Sequence, residues 1–438
     1  MRCFQWLCRS FGLLCLGTIL MVTAGCSVPA QLVWSPDGSA AAYRLNDKAF
    51  VIDAAGKIAA ELGDSTGGYA WSGDSKTLYY ATPLKTADVA TPVDVRWQQP
   101  LPSIHFEGEE NKVPESAYPT KNPPAFVELQ TFAGGKSTSL LKFAAGKPLH
   151  MALSPDQQWL ALVCETAVND TYAVYAYHLP AKKLYLISDF AGLAMCYTGP
   201  SRLAYVEPDR LGDKADAMTG RVVEIMLDAA QKELVRVPLM DVVPSQTPWI
   251  VAIGDNLLLT SIARTFPGKP VVDDKLICKL FLWTRANCGI VSLADDVGPL
   301  FALSPDGQRI LIEKITPAME SSPAKRELLL IRANGSDGMA LRDLSHRDIF
   351  ALWPAWHGNG EITFTSPEED AKTVTVKNET RLQYDIVQYK ITDKGELQAI
   401  KTLSEGWDAA MKPYIPVQTS VSTTRAASQP ATLPTTQP

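Results

Sequence analysis

The sequence has no strong excess of either charge and no long block of like charges. Lys and Arg total 41 against 47 Asp and Glu, a formal net charge of −6 over 438 residues. A nucleic-acid-binding domain needs a basic stripe or patch, so the composition argues against a DNA or RNA partner. Recognisable catalytic signatures are also missing: there is no Gly-x-Ser-x-Gly elbow, His-Glu-x-x-His motif, phosphate-binding loop or dinucleotide fingerprint.

No long stretch shows the 3.6-residue periodicity of an amphipathic helix. What the sequence has instead is an internal repeat: an apolar run, a tight polar turn and a second apolar run. The clear copies carry the turns Ser35-Pro36-Asp37-Gly38, Ser72-Gly73-Asp74-Ser75, Ser154-Pro155-Asp156-Gln157 and Ser304-Pro305-Asp306-Gly307. Weaker copies are centred on residues 198–201, 254–256 and 357–360.

The chemistry of these turns predicts β-hairpins. Proline presets φ early in a turn, serine and aspartate bond nearby backbone amides, and glycine accepts a positive φ. Several flanking runs are apolar at consecutive positions, such as Ile310–Ile312 and Leu257–Leu259. A strand needs this pattern when both faces of its sheet are buried. A second pair of apolar runs follows each first pair, and seven repeats of four strands predict an all-β chain folded as a single β-propeller.

The Ser-Pro-Asp-Gly turns and their flanking runs resemble the WD-like repeats of the TolB-type propeller family, over residues 31 to about 408. We place the propeller at residues 31–408, with an insertion at 83–123 in the second blade. The sequence departs from TolB because it shows no α/β domain before the propeller and begins like a lipoprotein. The resemblance is therefore extended to the fold and not to a role in the Tol system.

Repeat length varies mainly in the connection between the second and third strands. In four-stranded antiparallel blades these connections share one face of the disc, and insertions on one face usually mark a binding side. The alternative is that long loops are merely tolerated, because the entropy of loop closure rises slowly with length. The residues that we predict on the binding face are Arg96, Trp97, His105, Phe106, Arg210, Arg264 and Phe266.

Arginine and aromatic side chains are common interface anchors, which makes the blade 2 insertion the most suggestive connection. An equally good interpretation is that Trp97 and Phe106 only pin that insertion to the disc. The five histidines are scattered. Of these, His105, His150 and His346 could approach a site at the same face, whereas His178 and His357 could not. We expect no cofactor and no metal, and these three histidines keep a metal-dependent enzyme as the alternative.

The first residues have the pattern of an export signal. Arg2 and Arg9 accompany an apolar run, Ser10–Val22, which is too short to span a bilayer. The run ends in Thr23-Ala24-Gly25-Cys26, which resembles the lipobox of bacterial lipoproteins. The resemblance implies a signal peptide at residues 1–25 and a lipid on Cys26. An ordinary cleaved signal with an incidental cysteine is the alternative.

Residues outside the propeller complete the predicted organisation. Ser27, rather than an Asp, follows the cysteine, and by resemblance to bacterial sorting this favours the outer membrane, facing the periplasm. Residues 26–30 form a short linker that keeps the disc close to the membrane. Residues 409–438 are rich in Pro, Thr and Ser and cannot bury enough apolar surface to fold alone.

Four cysteines lie outside the leader. We predict that Cys164 and Cys196 are buried free thiols, with a disulfide between them as the minor alternative. Cys278 and Cys288 fall in one hairpin, out of register for a bridge. No spacing resembles a metal site.

The sequence thus predicts a non-enzymatic binding or scaffold lipoprotein of the cell envelope. Its partners would be the membrane, through the lipid, and a protein or glycan on the loop-rich face. The alternatives are a propeller-type lyase or hydrolase acting on envelope or extracellular glycans, and a subunit of a membrane-protein assembly machine.

Overall fold

The computed structural model describes residues 32–403 apart from 46–47, 65–67, 85–90, 96–125, 167–171, 212–213, 231–235, 243–248, 263–277, 317–324, 344–353, 367–372, 377–378 and 383–384. The regular structure of the described residues is entirely β, in 30 strands. This confirms the predicted all-β propeller.

The strands group into four-stranded blades, numbered here in chain order. Blade 1 contains β1 (Leu32–Trp34), β2 (Ala40–Leu45), β3 (Lys48–Asp53) and β4 (Ile58–Asp64). Blade 2 contains β5 (Tyr69–Trp71), β6 (Thr77–Leu84), β8 (Phe126–Ala133) and β9 (Lys136–Ala144), with a short β7 (Val93–Val95) between β6 and β8 in sequence. Blade 3 contains β10 (Pro148–Leu153), β11 (Trp159–Glu165), β12 (Tyr172–His178) and β13 (Lys183–Ala191). Blade 4 contains β14 (Met195–Gly199), β15 (Arg202–Leu211), β16 (Lys214–Met226) and β17 (Arg236–Val242).

The remaining blades are less uniform. Blade 5 contains β18 (Ile250–Ile253), β19 (Asn256–Ile262), β20 (Cys278–Thr284) and the first half of β21 (Gly289–Leu303). Blade 6 takes the second half of β21, then β22 (Arg309–Thr316), β23 (Lys325–Arg332) and β24 (Met339–Asp343). Blade 7 contains β25 (Ala355–His357), β26 (Glu361–Ser366), β29 (Asp385–Ile391) and β30 (Leu397–Thr402). The strands β27 (Thr373–Val376) and β28 (Glu379–Leu382) pair as a separate hairpin between β26 and β29.

The first strands of the blades surround the axis of the disc. The strand β1 contacts β5, β5 contacts β10, β10 contacts β14 and β14 contacts β18, while β21 contacts β25 and β25 returns to β1. Neighbouring strands within each blade are antiparallel, as β1, β2, β3 and β4 show. The turns between first and second strands therefore lie on one side, which we call the turn face. The connections between second and third strands lie on the opposite side, which we call the connection face.

Consecutive apolar positions pack in two directions, as predicted. In β11 the side chains of Leu160 and Leu162 join the core shared with blade 2, whereas Ala161 and Val163 join the core shared with blade 4. All four are fully buried. Burial of each large aliphatic side chain contributes about 1.5–3 kcal/mol, so a sheet with two apolar faces stabilises two blade interfaces at once.

The ring closes between blades 7 and 1 through side chains and turns. Buried Leu32, Phe50 and Ile52 pack with Ile386 and Leu403 in one cluster. The Trp34 indole N–H donates to the Thr363 hydroxyl at 3.0 Å. Among the described residues, no strand of blade 7 pairs with a strand of blade 1, so the described closure depends on this side-chain packing.

Tryptophans of the first strands repeat one contact between blades. Trp71 Nε1 donates to the Val33 carbonyl at 3.0 Å, and Trp356 Nε1 donates to the Ala302 carbonyl at 3.0 Å. In each case the acceptor lies on the first strand of the preceding blade. These bonds fix the spacing of neighbouring blades around the axis.

Candidate functional site

The turn face is built from turns that bond their own backbone. In the four clear repeats the serine hydroxyl donates to the aspartate two residues later, at 2.6–2.7 Å, in the pairs Ser35–Asp37, Ser72–Asp74, Ser154–Asp156 and Ser304–Asp306. Gly38 and Gly307 adopt φ of 70° and 69° at the fourth position. In all four turns, backbone amides also donate to the serine hydroxyl and to the aspartate carboxylate, which confirms the predicted roles of serine, aspartate and glycine.

The same turns also bond one another around the ring. The Asp37 amide donates to the Ser75 hydroxyl at 3.0 Å, and the Gly73 amide donates to Gln157 Oε1 at 3.1 Å. Ser75 and Gln157 occupy the positive-φ position, at 62° and 59°. A side chain at this position costs some backbone strain, but here it supplies an acceptor that glycine lacks. The same kind of bond joins blades 6 and 7, where the Asp306 amide donates to Asn359 Oδ1 at 3.1 Å.

Carboxylates on the turn face accept hydrogen bonds from their own turns, and these bonds lower their pKa values. The Ser39 amide and the Ser35 and Ser39 hydroxyls lower the pKa of Asp37 to about 2. Hydrogen bonds from Ser72 and from Ser304, respectively, lower the pKa of Asp74 and of Asp306. Hydrogen bonds to the ionised form produce such shifts. These three carboxylates accept hydrogen bonds within their own turns, so they are part of the turn structure and not free charges on this face.

Blades 4 and 5 add a charged network at this side of the disc. Arg285 donates from Nη1 to Glu224 Oε1 at 3.1 Å and from Nε to the Asp255 carbonyl at 3.1 Å. Arg202 pairs with the Asp255 carboxylate at 2.7 Å. Glu224 is buried, and a buried carboxylate needs such partners. Sequence reasoning missed this network because its members lie on separate strands and match no motif.

The connection face carries the irregular parts of the disc. Blade 4 extends as a β-hairpin in which Arg210 pairs with Ala215 and Leu211 pairs with Lys214. The repeat lengths predict a long connection between the second and third strands of this blade, at 207–220, and the structure forms it as a hairpin and not a loop, since β15 and β16 continue through it with a bulge after Pro208. Blade 7 places the β27–β28 hairpin in the corresponding connection. A hairpin pairs the backbone groups between its two strands and leaves the outward-facing groups to water, so it can project from the disc without a covering layer.

The blade 2 insertion reaches the rim of the next blade. The strand β7 pairs in parallel with β13, with Val93 opposite Leu184 and Val95 opposite Leu186. It covers the outer edge of blade 3, where the backbone groups of an edge strand would otherwise stay unpaired. Arg96 and Trp97 follow β7 directly in sequence. The insertion is thus attached to blade 3 at the outer rim.

Near the axis, His150 and Trp249 meet at the connection face. His150 lies near the start of β10, and Trp249 directly precedes β18. Their ring centroids are 5.2 Å apart, although the two residues belong to blades 3 and 5. The contact therefore spans the start of blade 4, which lies between these two blades, and places both rings close to the axis of the disc.

The His150 ring is neutral at physiological pH. Burial lowers the pKa of His150 to about 4, against a weaker opposing effect of a hydrogen bond to the backbone of Leu193. Its Nδ1 atom is buried and has no hydrogen-bond partner among the described residues. A neutral ring with an unpartnered nitrogen can accept a hydrogen bond or bind a metal. The sequence placed His150 near this face, whereas nothing in the repeat pattern indicated Trp249.

Two other histidines, His178 and His357, lie on the opposite side of the disc from His150. His178 ends the third strand of blade 3, and His357 ends the first strand of blade 7, so both lie toward the turn face as predicted. His357 Nε2 lies 3.0 Å from the Gly38 carbonyl across the closure, and His357 Nδ1 lies 2.8 Å from Glu361. His105 and His346 lie outside the described residues.

One residue predicted for the binding face, Arg210, lies within the described residues. Arg210 lies near the end of the blade 4 hairpin, and its backbone alone is described. The other residues predicted for the binding face lie outside the described part of the chain: Arg96, Trp97, His105, Phe106, Arg264 and Phe266. The predicted lipid attachment site, Cys26, also lies outside it.

The four described cysteines are free thiols. Cys164 and Cys278 are buried, Cys196 is partly buried and Cys288 is exposed. Cys278 pairs with Val297, and Gly289 pairs with Thr284, so Cys278 and Cys288 are out of register as predicted. Burial raises the pKa of Cys196 and of Cys278 to about 12, and both thiols are therefore unreactive at neutral pH.

Within the described ranges, no group of three or more His, Cys, Asp or Glu side chains could hold a metal ion. The described part also contains no helix that combines the length and the apolar character needed to cross a bilayer.

Comparison with known proteins identifies no family for this chain. No protein-family model matches it, and no curated protein matches it. Solved structures with similar coordinates include oligogalacturonate lyase from Vibrio parahaemolyticus, at 11% identity and a TM-score of 0.47 over 78% of this chain and 87% of that one. They also include the propeller domain of the Pyrococcus furiosus trilobed protease, at 11% identity and a TM-score of 0.42 over 77% of this chain and 94% of that one. TolB from Acinetobacter baumannii is 12% identical, with a TM-score of 0.35 over 69% of this chain and 60% of that one. The chain's own ring of four-stranded antiparallel sheets makes it a β-propeller.

Proposed function

We propose that this chain is a non-catalytic binding protein of the cell envelope, held to a membrane by a lipid on Cys26, which docks a protein or glycan on its connection face. One observation carries the proposal: the two faces of the disc are built differently. The turn face is closed by short turns bonded to each other, whereas the connection face carries two added hairpins. A rigid disc that presents variable segments on one side is a common arrangement for recognition.

The blade 4 hairpin gives the most direct test. Arg210 lies next to its end, and arginine is enriched at interface hot spots. Full-length tagged protein would be purified from native membranes with Arg210→Glu, and co-purifying partners would be quantified by mass spectrometry. Lys76→Glu is the matched control, because Lys76 is an exposed residue of the turn face.

We expect Arg210→Glu to reduce capture of the partner about tenfold, which corresponds to about 1.4 kcal/mol. Lys76→Glu should leave capture unchanged. Equal capture by the two variants would contradict the assignment of the binding face.

A metal-dependent lyase or hydrolase is the second candidate, and His150 is the observation that favours it. Its neutral ring and unpartnered Nδ1 at the axis could provide one metal ligand. Elemental analysis of the purified protein and of His150→Ala separates the two candidates. A stoichiometric metal that is lost with His150→Ala would favour the enzyme, and an unchanged, substoichiometric content would favour the binding protein.

A further inference from the structure

The chain enters the disc on the connection face and close to the axis. The strand β1 begins at Leu32 and runs toward the turn at Ser35–Gly38, which lies on the turn face. The strand is also innermost, because β1 contacts β5 and β25, the first strands of the two neighbouring blades. The residue that follows the N-terminal linker is therefore at the centre of the connection face.

The linker before β1 is short. Residues 27–31 separate Cys26 from Leu32, and even a fully extended chain of this length spans only about 20 Å. A linker that passed around the rim to the turn face would first have to cross three strand spacings outward, about 14 Å. It would then have to run about 20 Å along the strands. The linker cannot cover that path.

We infer that the connection face is turned toward the membrane and that the partner docked on it is a membrane-embedded protein. This inference rests on the proposed function and on the proposed lipid at Cys26. A bilayer that lies within about 20 Å of Leu32 leaves little room for a large soluble partner on this face. The turn face, with its ring of internally bonded turns, points away from the bilayer.

Shape and charge favour a protein over a lipid surface as the partner. The hairpins of blades 4 and 7 give the connection face projecting elements that do not match a flat layer of headgroups. Its described charges have both signs, as in the Lys48–Glu61 ion pair at 2.7 Å, and the chain carries a net charge of −6. Binding to an anionic lipid surface needs a basic cluster.

The orientation can be measured with a native reporter. Cys288 is exposed in the turn between β20 and β21, on the turn face. A matched reporter on the opposite side is Ala144→Cys in a Cys288→Ser background, since Ala144 is exposed at the end of β9. Each full-length lipidated protein would be labelled with a donor fluorophore and reconstituted into phosphatidylethanolamine–phosphatidylglycerol vesicles that contain a headgroup-labelled acceptor.

We expect stronger energy transfer from position 144 than from position 288, with the two donor heights differing by about the length of a six-residue strand, about 20 Å. Equal transfer from the two positions, or stronger transfer from Cys288, would overturn the orientation. Unchanged thermal unfolding of the Ala144→Cys protein would verify that it is folded.

The partner class is tested separately in native membranes. A photo-crosslinker on position 144 should form an adduct with a protein that resists alkaline extraction, and the same group on Cys288 should not. An adduct with lipid alone, or with an extractable protein, would overturn the partner class. No adduct at position 144, together with the expected energy transfer, would reject the docking function and leave the orientation standing.

Discussion

Gly56 lies where blade 1 meets the end of blade 7. It has a φ of +85°, and a Cβ built on it would lie 2.2 Å from the Leu403 carbonyl oxygen and 2.6 Å from Leu403 Cα. Leu403 is buried, and its amide donates to the Ile386 carbonyl at 2.7 Å. The atoms in contact are backbone atoms, so they cannot move aside without shifting the closure of the ring.

Gly56→Ala should therefore combine two costs. A non-glycine residue in the left-handed region costs about 1–2 kcal/mol, and an added methyl group in a packed contact costs about 1–3 kcal/mol. Gly63→Ala is the matched control, since Gly63 has a φ of +91° and no atom within 4 Å of its built Cβ. We expect a loss of about 2–5 kcal/mol for Gly56→Ala and about 1–2 kcal/mol for Gly63→Ala.

Urea unfolding and calorimetry would measure the difference. For a domain of this size, each kcal/mol lowers Tm by about 1 °C. Amide exchange should also rise in β1 and β30 for Gly56→Ala and remain unchanged there for Gly63→Ala. Equal destabilisation by the two substitutions would show that the contact with Leu403 does not hold the ring closed.

Three further predictions concern the blades and the turn face. Leu162→Ala should cost about 2–5 kcal/mol because Leu162 is fully buried between blades 2 and 3, while Ile400→Ala, at a residue 46% exposed, should leave the urea midpoint nearly unchanged. Trp71→Phe leaves the Val33 carbonyl without its indole donor and should cost about 1 kcal/mol; an unchanged urea midpoint would contradict this. Because hydrogen bonds lower the pKa of Asp37 from 3.8 to about 2, its stabilising contribution is present above pH 3.8 and is lost as the pH falls through about 2. Asp37→Asn should therefore be less stable than the natural protein in thermal scans at pH 5, and the difference should shrink toward pH 2.

Local chemistry explains why much of the fold was predictable. The Ser-x-Asp turns specify hairpins through bonds between residues two apart, as in Ser35 and Asp37. The strand β11 is apolar at consecutive positions because both of its faces meet other blades. These signals lie within a few residues of each other in the chain, so they can be recognised without knowing the tertiary structure.

The features that were not predicted depend on distant residues. Only three residues of β7 pair with β13, about 90 positions later in the sequence; such a short strand has no pattern of its own and is defined by the edge that it covers. The contact between His150 and Trp249 joins blades that are not neighbours, so no repeat indicates it. In blade 4 the variation in repeat length predicted only a long connection between the second and third strands, whereas the structure continues both strands as a hairpin and accommodates Pro208 beside a bulge.

The strand β21 belongs to two blades, and this limits where the chain could be circularly permuted. Its first part pairs with β20 and its last part with β22, and Val297, which follows Asp296 at a φ of 51°, pairs with both Cys278 and Lys314. Blades 2 and 3, and blades 3 and 4, are joined by described residues outside any strand, at 145–147 and 192–194, where new chain ends could be opened by circular permutation. A cut near Asp296 would instead divide a hydrogen-bonded strand, so new chain ends between blades 5 and 6 would disrupt strand pairing in both blades.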